Sequence, residues 1–442
     1  MMCDLPINRS FNHPHTAPAM TTHYDTLETR TPAEREAALM RALPLQVANA
    51  KNNTAGFASI LAAVDPATVT SRAALAALPV TRKSDLKELQ RAALPFGGLV
   101  AVKPGRARKI FMSPGPIYEP EGRRDDYWRT ARALFAAGFR EGDILFNTFS
   151  YHLTPAGSMI EAGAMKLGCA VIPAGVGNTE QQIEAIVDLQ PTAYVGTAAF
   201  LRILVEKFIE LGQPFPIQRA VTGGDALTPS LRQWLKQHGL VTVLNFFGTA
   251  DLGSIAYESE ASVTSMTQSA GMILDEELIL EIVRPGTGDP VAEGEVGEIV
   301  ITTLNPDYPL IRFGTGDLSA VMPESLTTAS PCGRTNTRIK GWMGRADQTT
   351  KVKGMFVHPG QVAAVVKRHS EIDKARLVIE GEMANDRMTL KVEVSGAAAA
   401  GLQEAIAATL RDVTKLRGEV QLVTPGELPN DGKVIEDARK YD

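Results

Sequence analysis

The spacing of apolar positions changes period along the chain. From Tyr24 onward, leucines and alanines in LETRTPAEREAALMRALPLQVANA recur at three and four, and Thr31-Pro32 before an acidic first turn marks a helix start. Asp125 to Asp143 reads as an amphipathic helix closed by Gly138. ILFNTFSYHLTPAGSMIEAGAMKLGCAVIPAG then alternates a strand, a glycine-bearing helix and a second strand, and QQIEAIVDLQPTAYVGTAAFLRILVEKF repeats helix, strand, helix. Successive βα units at this spacing predict a largely parallel sheet covered on both faces. Between Asp275 and Ile301 two β-runs flank a Pro/Gly-rich turn, a hairpin in a β-rich subdomain. Residues 1 to about 20 mix prolines, histidines (His13, His15) and polar residues without period and read as a flexible leader.

The fold class expected is α/β: a large N-terminal domain over 21–346, with mostly parallel sheets covered by helices plus a β-rich subdomain, then a small α+β domain over 347–442. A chain of 442 residues suits this division into two bodies. Lys and Arg number 45 against 50 Asp and Glu, a net charge of −5, which supplies no basic surface for nucleic acid. No apolar run reaches the roughly eighteen residues of a membrane span, and the N-terminus does not read as a secretion signal. Cys3, Cys169 and Cys332 at unrelated spacings form neither a disulfide framework nor a metal cluster, so a cytoplasmic location is expected.

Chemistry concentrates in the last third. The strand-like EIVITTL (Glu298 to Leu304) leads into PLIRFGTGDLS, where an apolar run stops at Asp317, an acid placed to accept hydrogen bonds from a ligand's hydroxyls. Upstream, Gly223, Gly224 and Asp225 follow a strand and precede a helix, the position where open α/β sheets bind ligands and where bare backbone admits a flat base.

These residues resemble the adenylate-forming superfamily of acyl-CoA synthetases, and its phenylacetate-CoA ligase branch in particular. The matching blocks are TGDL at Thr315, CGRT at Cys332, GRADQTTKVKGMFVHP (Gly344 to Pro359) and LPNDGK ending at Lys433, with LPVTRKSDL (Leu78 to Leu86) as an earlier landmark. The resemblance implies that NFFGT (Asn245, Phe246, Phe247, Gly248, Thr249) borders the adenine and that Phe247 stacks on it. It implies that Asp251 holds magnesium, although one methylene shorter than the family's glutamate. Asp317 would bind the ribose, with Arg345 and Arg312 on the ribose or phosphate side, and Asp347 would be the hinge of a C-terminal lid. Lys433 would stabilise charge at the α-phosphate, and Lys351, Lys353 and Gly354 would line the coenzyme A path. VGNT (Val176 to Thr179) matches the family's GGNT with one glycine lost, and the acid pocket would begin at Tyr151, His152 and Gly157; His152 reads equally as a hydrogen-bonded core histidine.

The chain departs from the family on the triphosphate side. Residues 110 to 122, IFMSPGPIYEPEG, keep Ser113 and Gly115 of a phosphate-gripping loop, but Pro114 and Pro116 lack amide hydrogens and no lysine follows. Ala250 and Gly314 replace a threonine and a basic residue. Lys103, Arg106, Arg108 or Lys109 would then supply the charge, or ATP activation would be weak or absent. Relatives' structural zinc ligands are reduced to Cys332, so no zinc site is expected. Three functions fit: an AMP-forming ligase joining an aryl or acyl carboxylate to coenzyme A with ATP and magnesium; an adenylate-binding protein with little ATP turnover; and an adenylating enzyme with another acceptor. Family resemblance also suggests a homodimer, and no nucleic acid or membrane partner is expected.

Overall fold

The computed structural model describes residues 22–263, 270–382, 385–394, 401–429 and 433–439. The leader with Cys3, His13 and His15, and residues 430–432 of LPNDGK, lie outside these. The first long helix, Pro32–Asn53, starts where the pattern predicts. Thr31 accepts from the Glu34 amide at 3.2 Å and Glu34 accepts from the Thr31 amide at 2.8 Å, satisfying two donors at the helix start. Its buried stripe of Leu39, Leu43, Val47 and Ala50 packs with Phe57, Ile279, Ile299 and Ile301.

In the principal sheet, Ala170–Pro173, Ile144–Asn147, Ala193–Gly196, Arg219–Gly223 and Thr242–Thr249 lie side by side and parallel. Gly253–Tyr257, Met272–Leu274 and Arg338–Ile339 extend it antiparallel. Consecutive strand residues enter opposite cores: Phe146, Tyr194, Ala220 and Val243 join Leu201, Leu204 and Leu231 of the helices on one face. Leu145, Val195, Val221 and Leu244 join Leu134, Ile160 and Ala164 on the other. This two-sided burial explains the near-continuous apolar strands. The carboxyl ends of the parallel strands, at Asn147, Gly196, Gly223 and Thr249, therefore share one edge.

The helix expected from Asp125 to Asp143 is confined to Thr130–Ala136. Asp126 and Arg129 sit at positive φ, and the Asp126 carboxylate accepts from the amides of Thr130 (2.8 Å) and Ala131 (3.1 Å), so the helix begins only after this cap. The predicted β-hairpin is formed by Leu278–Val283 and Gly297–Thr303, with Leu278 opposite Thr303. Phe313–Ser319 pairs antiparallel to Gly297–Thr303, and the short Thr81–Arg82 runs parallel beside it, completing a four-stranded sheet.

The small domain stacks helices Pro359–Arg368 and Leu402–Thr414 on a sheet of Ile372–Glu380, Arg387–Val394, Glu419–Val423 and Ile435–Asp437. Ahead of it, Thr350–Val352 and Met355–Val357 form a tight hairpin. Its two turn residues, Lys353 (φ +48°) and Gly354 (φ +84°), have the paired positive φ of a type I′ turn. Among the described residues, no helix is long and apolar enough to cross a membrane.

Candidate active site

Gly223 ends its strand, and a Cβ there would stand 2.8 Å from the Phe246 carbonyl oxygen. Only bare backbone fits. Gly224 follows at φ +76°, and the Phe149 ring closes the other side, 3.8 and 3.7 Å from the two Cβ positions. Asp225 does not turn toward this ledge. Its carboxylate accepts from the amides of Ala198 (2.8 Å) and Ala199 (3.0 Å), capping the helix Ala198–Glu210, so its expected nucleotide contact is replaced by a structural one. In the adjacent strand Phe246 lies opposite Gly223. Phe246 packs into the core around Leu134 and Ile160, whereas Phe247, half-buried, packs against the core containing Ile255 and Ala256. The Asn245 side chain accepts from the Phe246 amide at 3.0 Å. A bulge falls between Phe247 and Gly248, and the Thr249 hydroxyl accepts from the Leu252 amide at 3.2 Å, closing the turn that carries Asp251.

Asp317 lies inside the strand Phe313–Ser319 and is 8% exposed. Trp342 Nε1 donates to its Oδ1 at 3.1 Å and Arg345 Nη1 at 3.2 Å. Burial pushes the Asp317 carboxyl up from its usual range, while Arg345 and Lys83 pull it back. Arg345 also grips Asp347, at 3.2 and 3.0 Å, so one guanidinium ties the acid at 317 to the expected hinge. Arg312 is elsewhere: its guanidinium bonds Glu281 at 3.0 Å, the Gly288 carbonyl at 2.7 Å and the carbonyls of Ala76 and Leu78, at 2% residue exposure. That full set of partners corrects its assignment to the nucleotide.

The triphosphate side is where structure departs most from sequence. Residues 109–121 form a two-stranded hairpin, Lys109–Ser113 with Ile117–Glu121. Ser113 is buried, its hydroxyl donates to Glu119, and its amide donates to Glu119 at 3.2 Å, so both phosphate-gripping donors are committed internally. Lys109 bonds Ser158 at 3.0 Å and lies 3.8 Å from Glu121; Lys103, Arg106 and Arg108 are exposed. The cation at Asp251 comes instead from Lys83, whose Nζ is 2.5 Å from Asp251 Oδ2. Burial alone would lower this ammonium's pKa, but Asp251, with Glu119 and Asp317 behind it, raises it. Its neighbour Arg82 pairs with Glu298 and lies alongside Gly314, returning a basic group to the position where one was missing. Lys83 was overlooked in the sequence, although LPVTRKSDL stood out as a landmark.

One Asp251 oxygen already holds the Lys83 ammonium, so a magnesium ion there would share the carboxylate through the buried Oδ1, which is left without a hydrogen-bond partner; among the described residues no three His, Cys, Asp or Glu side chains gather to hold a metal by themselves. Burial, then the charge of Asp251, pushes the Glu119 carboxyl up to about 8. Its folded pKa exceeds its unfolded one, so its contribution to stability is full below about 4.5 and is lost as pH rises toward 8. Glu119→Gln can keep both contacts, its oxygen accepting from the Ser113 amide and its NH2 donating to the Ser113 hydroxyl, and removes this loss. Its thermal stability relative to the parent should be near zero at pH 4.5 and rise toward pH 8 by at most about 1.4 kcal/mol per pH unit, checked by melting curves across that range.

At the expected acid pocket, the Tyr151 ring lies flat on Gly157, where a Cβ would be 2.7 Å from the ring. Asn147 fixes it by donating to the Tyr151 hydroxyl at 2.8 Å and to the Gly157 carbonyl at 2.9 Å. His152 is exposed, which rules out the core-histidine reading. From the small domain, Lys351 Nζ reaches the Gly224 carbonyl at 2.5 Å, bringing the strand after the hinge to the glycine pair. The Lys353 amide is held by Asp386 at 2.9 Å, and a Cβ on Gly354 would meet nothing within 4 Å. Lys433 is exposed just before the strand Ile435–Asp437.

This layout of glycine ledge, buried acid and small second domain coincides with two family matches. Residues 126–305 match an AMP-binding enzyme model, and residues 354–438 match an AMP-binding enzyme C-terminal domain. A phenylacetate-coenzyme A ligase from Thermus thermophilus is 30% identical over 399 residues, spanning 83% of this chain and 87% of that one. Another from Aromatoleum evansii is 27% identical over 350 residues, 76% of each. A solved 2-hydroxyisobutyryl-CoA ligase, in complex with 2-HIB-AMP and CoA in the thioesterification state, superposes with a TM-score of 0.78 at 24% identity, covering 99% of this chain and 97% of that one. The chain belongs to the AMP-binding, adenylate-forming enzymes, in the branch of the phenylacetate-CoA ligases.

Proposed function

We propose that the protein is an AMP-forming acid–thiol ligase that activates an aryl or acyl carboxylate as its adenylate and transfers it to coenzyme A. The observation that carries this reading is a cation inside the site: Lys83 Nζ pairs with the buried Asp251 carboxylate at 2.5 Å, and its charge pulls down the carboxyl of Asp317. A ribose held by Asp317 would thus present its phosphates toward a resident positive charge. Across the site, the bare backbone of Gly223 and Gly224 lies beside the Phe149 ring, where a flat base would be received.

In this mechanism Asp317 accepts from the ribose hydroxyls and Arg345 holds that carboxylate in place. The carboxylate substrate, entering beside Tyr151 and Gly157, attacks the α-phosphorus; the P–O bond to pyrophosphate breaks as the acyl–phosphate bond forms. Lys433 stabilises the charge that develops at phosphorus, and Lys83 balances the departing pyrophosphate. Magnesium enters as the counter-ion of ATP, part of the substrate. Rotation about Asp347 then withdraws Lys433 and brings the hairpin of Lys351, Lys353 and Gly354 to the site, where the open face of Gly354 admits the pantetheine arm. The thiolate displaces AMP.

One observation favours a second reading, an adenylate-binding protein with little turnover: the hairpin at 109–121 has its Ser113 donors committed to Glu119. Pyrophosphate release, measured with ATP, magnesium and a panel of aryl and acyl acids, with and without coenzyme A, decides between them. Release with thioester formation is expected. AMP binding without release for any acid would favour the second reading, and release without thioester would point to another acceptor.

A further inference from the structure

The side chain of Gln348, the first residue after Asp347, reaches the C-terminal segment. Its Oε1 accepts from the amide of Val434 at 2.8 Å and from that of Ile435 at 3.3 Å. These are the two residues that follow Lys433. On the other side of the same segment, the Val434 carbonyl accepts from the Leu377 amide at 2.9 Å, and Ile435 is buried in the small domain's core. The backbone leaving Lys433 is therefore fixed from both flanks, by a sheet on one and by a single amide side chain on the other.

Gln348 is itself held in an unusual pose. It adopts φ +59°, a left-handed conformation that a residue with a side chain takes only when its surroundings impose it. Its amide donates to the Arg345 carbonyl at 3.2 Å, and Asp347 accepts from the Thr349 amide at 2.9 Å, closing a turn over 345–349. The guanidinium of that turn binds Asp317. Further along, Arg439 donates to the Lys351 carbonyl and the Thr350 hydroxyl, each at 2.9 Å, and Thr350 donates to Asp437 at 2.8 Å, tying the tail to the strand Thr350–Val352.

We propose that Gln348 is a positioning residue for Lys433: its side-chain carbonyl couples the hinge turn that grips Asp317 to the backbone that aims the lysine. The inference rests on the assignment of Lys433 to adenylation. Rotation at 347 then carries the lysine in or out with a fixed geometry, and loss of the acceptor loosens its aim without touching the nucleotide.

The test uses the full chain as Gln348→Leu, which removes the acceptor at similar volume, and Gln348→Glu, which keeps it, with Lys433→Ala as the reference. Pyrophosphate release is measured with ATP and phenylacetate, and thioester formation with supplied phenylacetyl-adenylate and coenzyme A. Gln348→Leu should lower kcat for release about tenfold with KM for ATP changed less than about twofold, and leave the thioester step intact. Gln348→Glu should recover most of the loss. Unchanged release in Gln348→Leu, equal damage to both steps, or a glutamate variant no better than leucine would overturn the inference while leaving the ligase reading in place. Full release by Lys433→Ala would instead remove the assignment beneath it.

Discussion

Lys433→Ala is expected to lower the rate of pyrophosphate release by roughly a hundredfold or more while thioester formation from supplied adenylate stays close to that of the parent. The argument is electrostatic. As the carboxylate oxygen adds to the α-phosphorus, negative charge builds on the phosphoryl oxygens before pyrophosphate leaves, and a cation fixed there lowers the barrier without reorganising at the moment of reaction. In the proposed mechanism, displacement of AMP by the thiolate uses a different face of the small domain, the one bearing Lys351, whose Nζ touches the Gly224 carbonyl in this structure. A lysine that serves one step alone must divide the two rates. Stopped assays of each half-reaction measure this directly, and equal loss in both would identify Lys433 as a structural residue of the tail.

The layered fold was legible because both faces of the principal sheet are covered, so strands such as Ile144–Asn147 and Ala193–Gly196 carry apolar side chains toward both faces and stand out between amphipathic helices. Local motifs carried the ledge at Gly223 and the acid at 317 for the same reason: their backbone demands are written in adjacent residues. What escaped was set by distant partners. Lys83 meets Asp251 across 168 positions, a pairing that no local period encodes. Asp225 follows two glycines as a ligand residue would, yet the helix amides at 198 and 199 claim it. Residues 110–122 resemble a phosphate-gripping loop stiffened by Pro114 and Pro116, whereas 109–121 pair as a hairpin. A two-stranded ribbon leaves each strand an outer edge, where Pro120, opposite Ile110, needs no donor.

Lys83→Met should damage both stability and catalysis, and the two losses can be separated. Asp251 is 4% exposed with one oxygen already lacking a partner, so removing the ammonium leaves a buried carboxylate beside Glu119 with no compensating charge. Breaking a buried pair from one side costs about 3–5 kcal/mol, whereas replacing both members by neutral groups is often close to neutral. The double variant Lys83→Met/Asp251→Asn should therefore regain most of the melting temperature lost by the single variant. Catalysis should not follow. If Lys83 balances charge on the leaving pyrophosphate, both variants release it about a hundredfold more slowly than the parent, because neither restores a cation at that end of the site. Thermal melts set beside pyrophosphate release give the two readouts, and a double variant that recovered activity together with stability would reduce Lys83 to a partner that merely neutralises a buried acid.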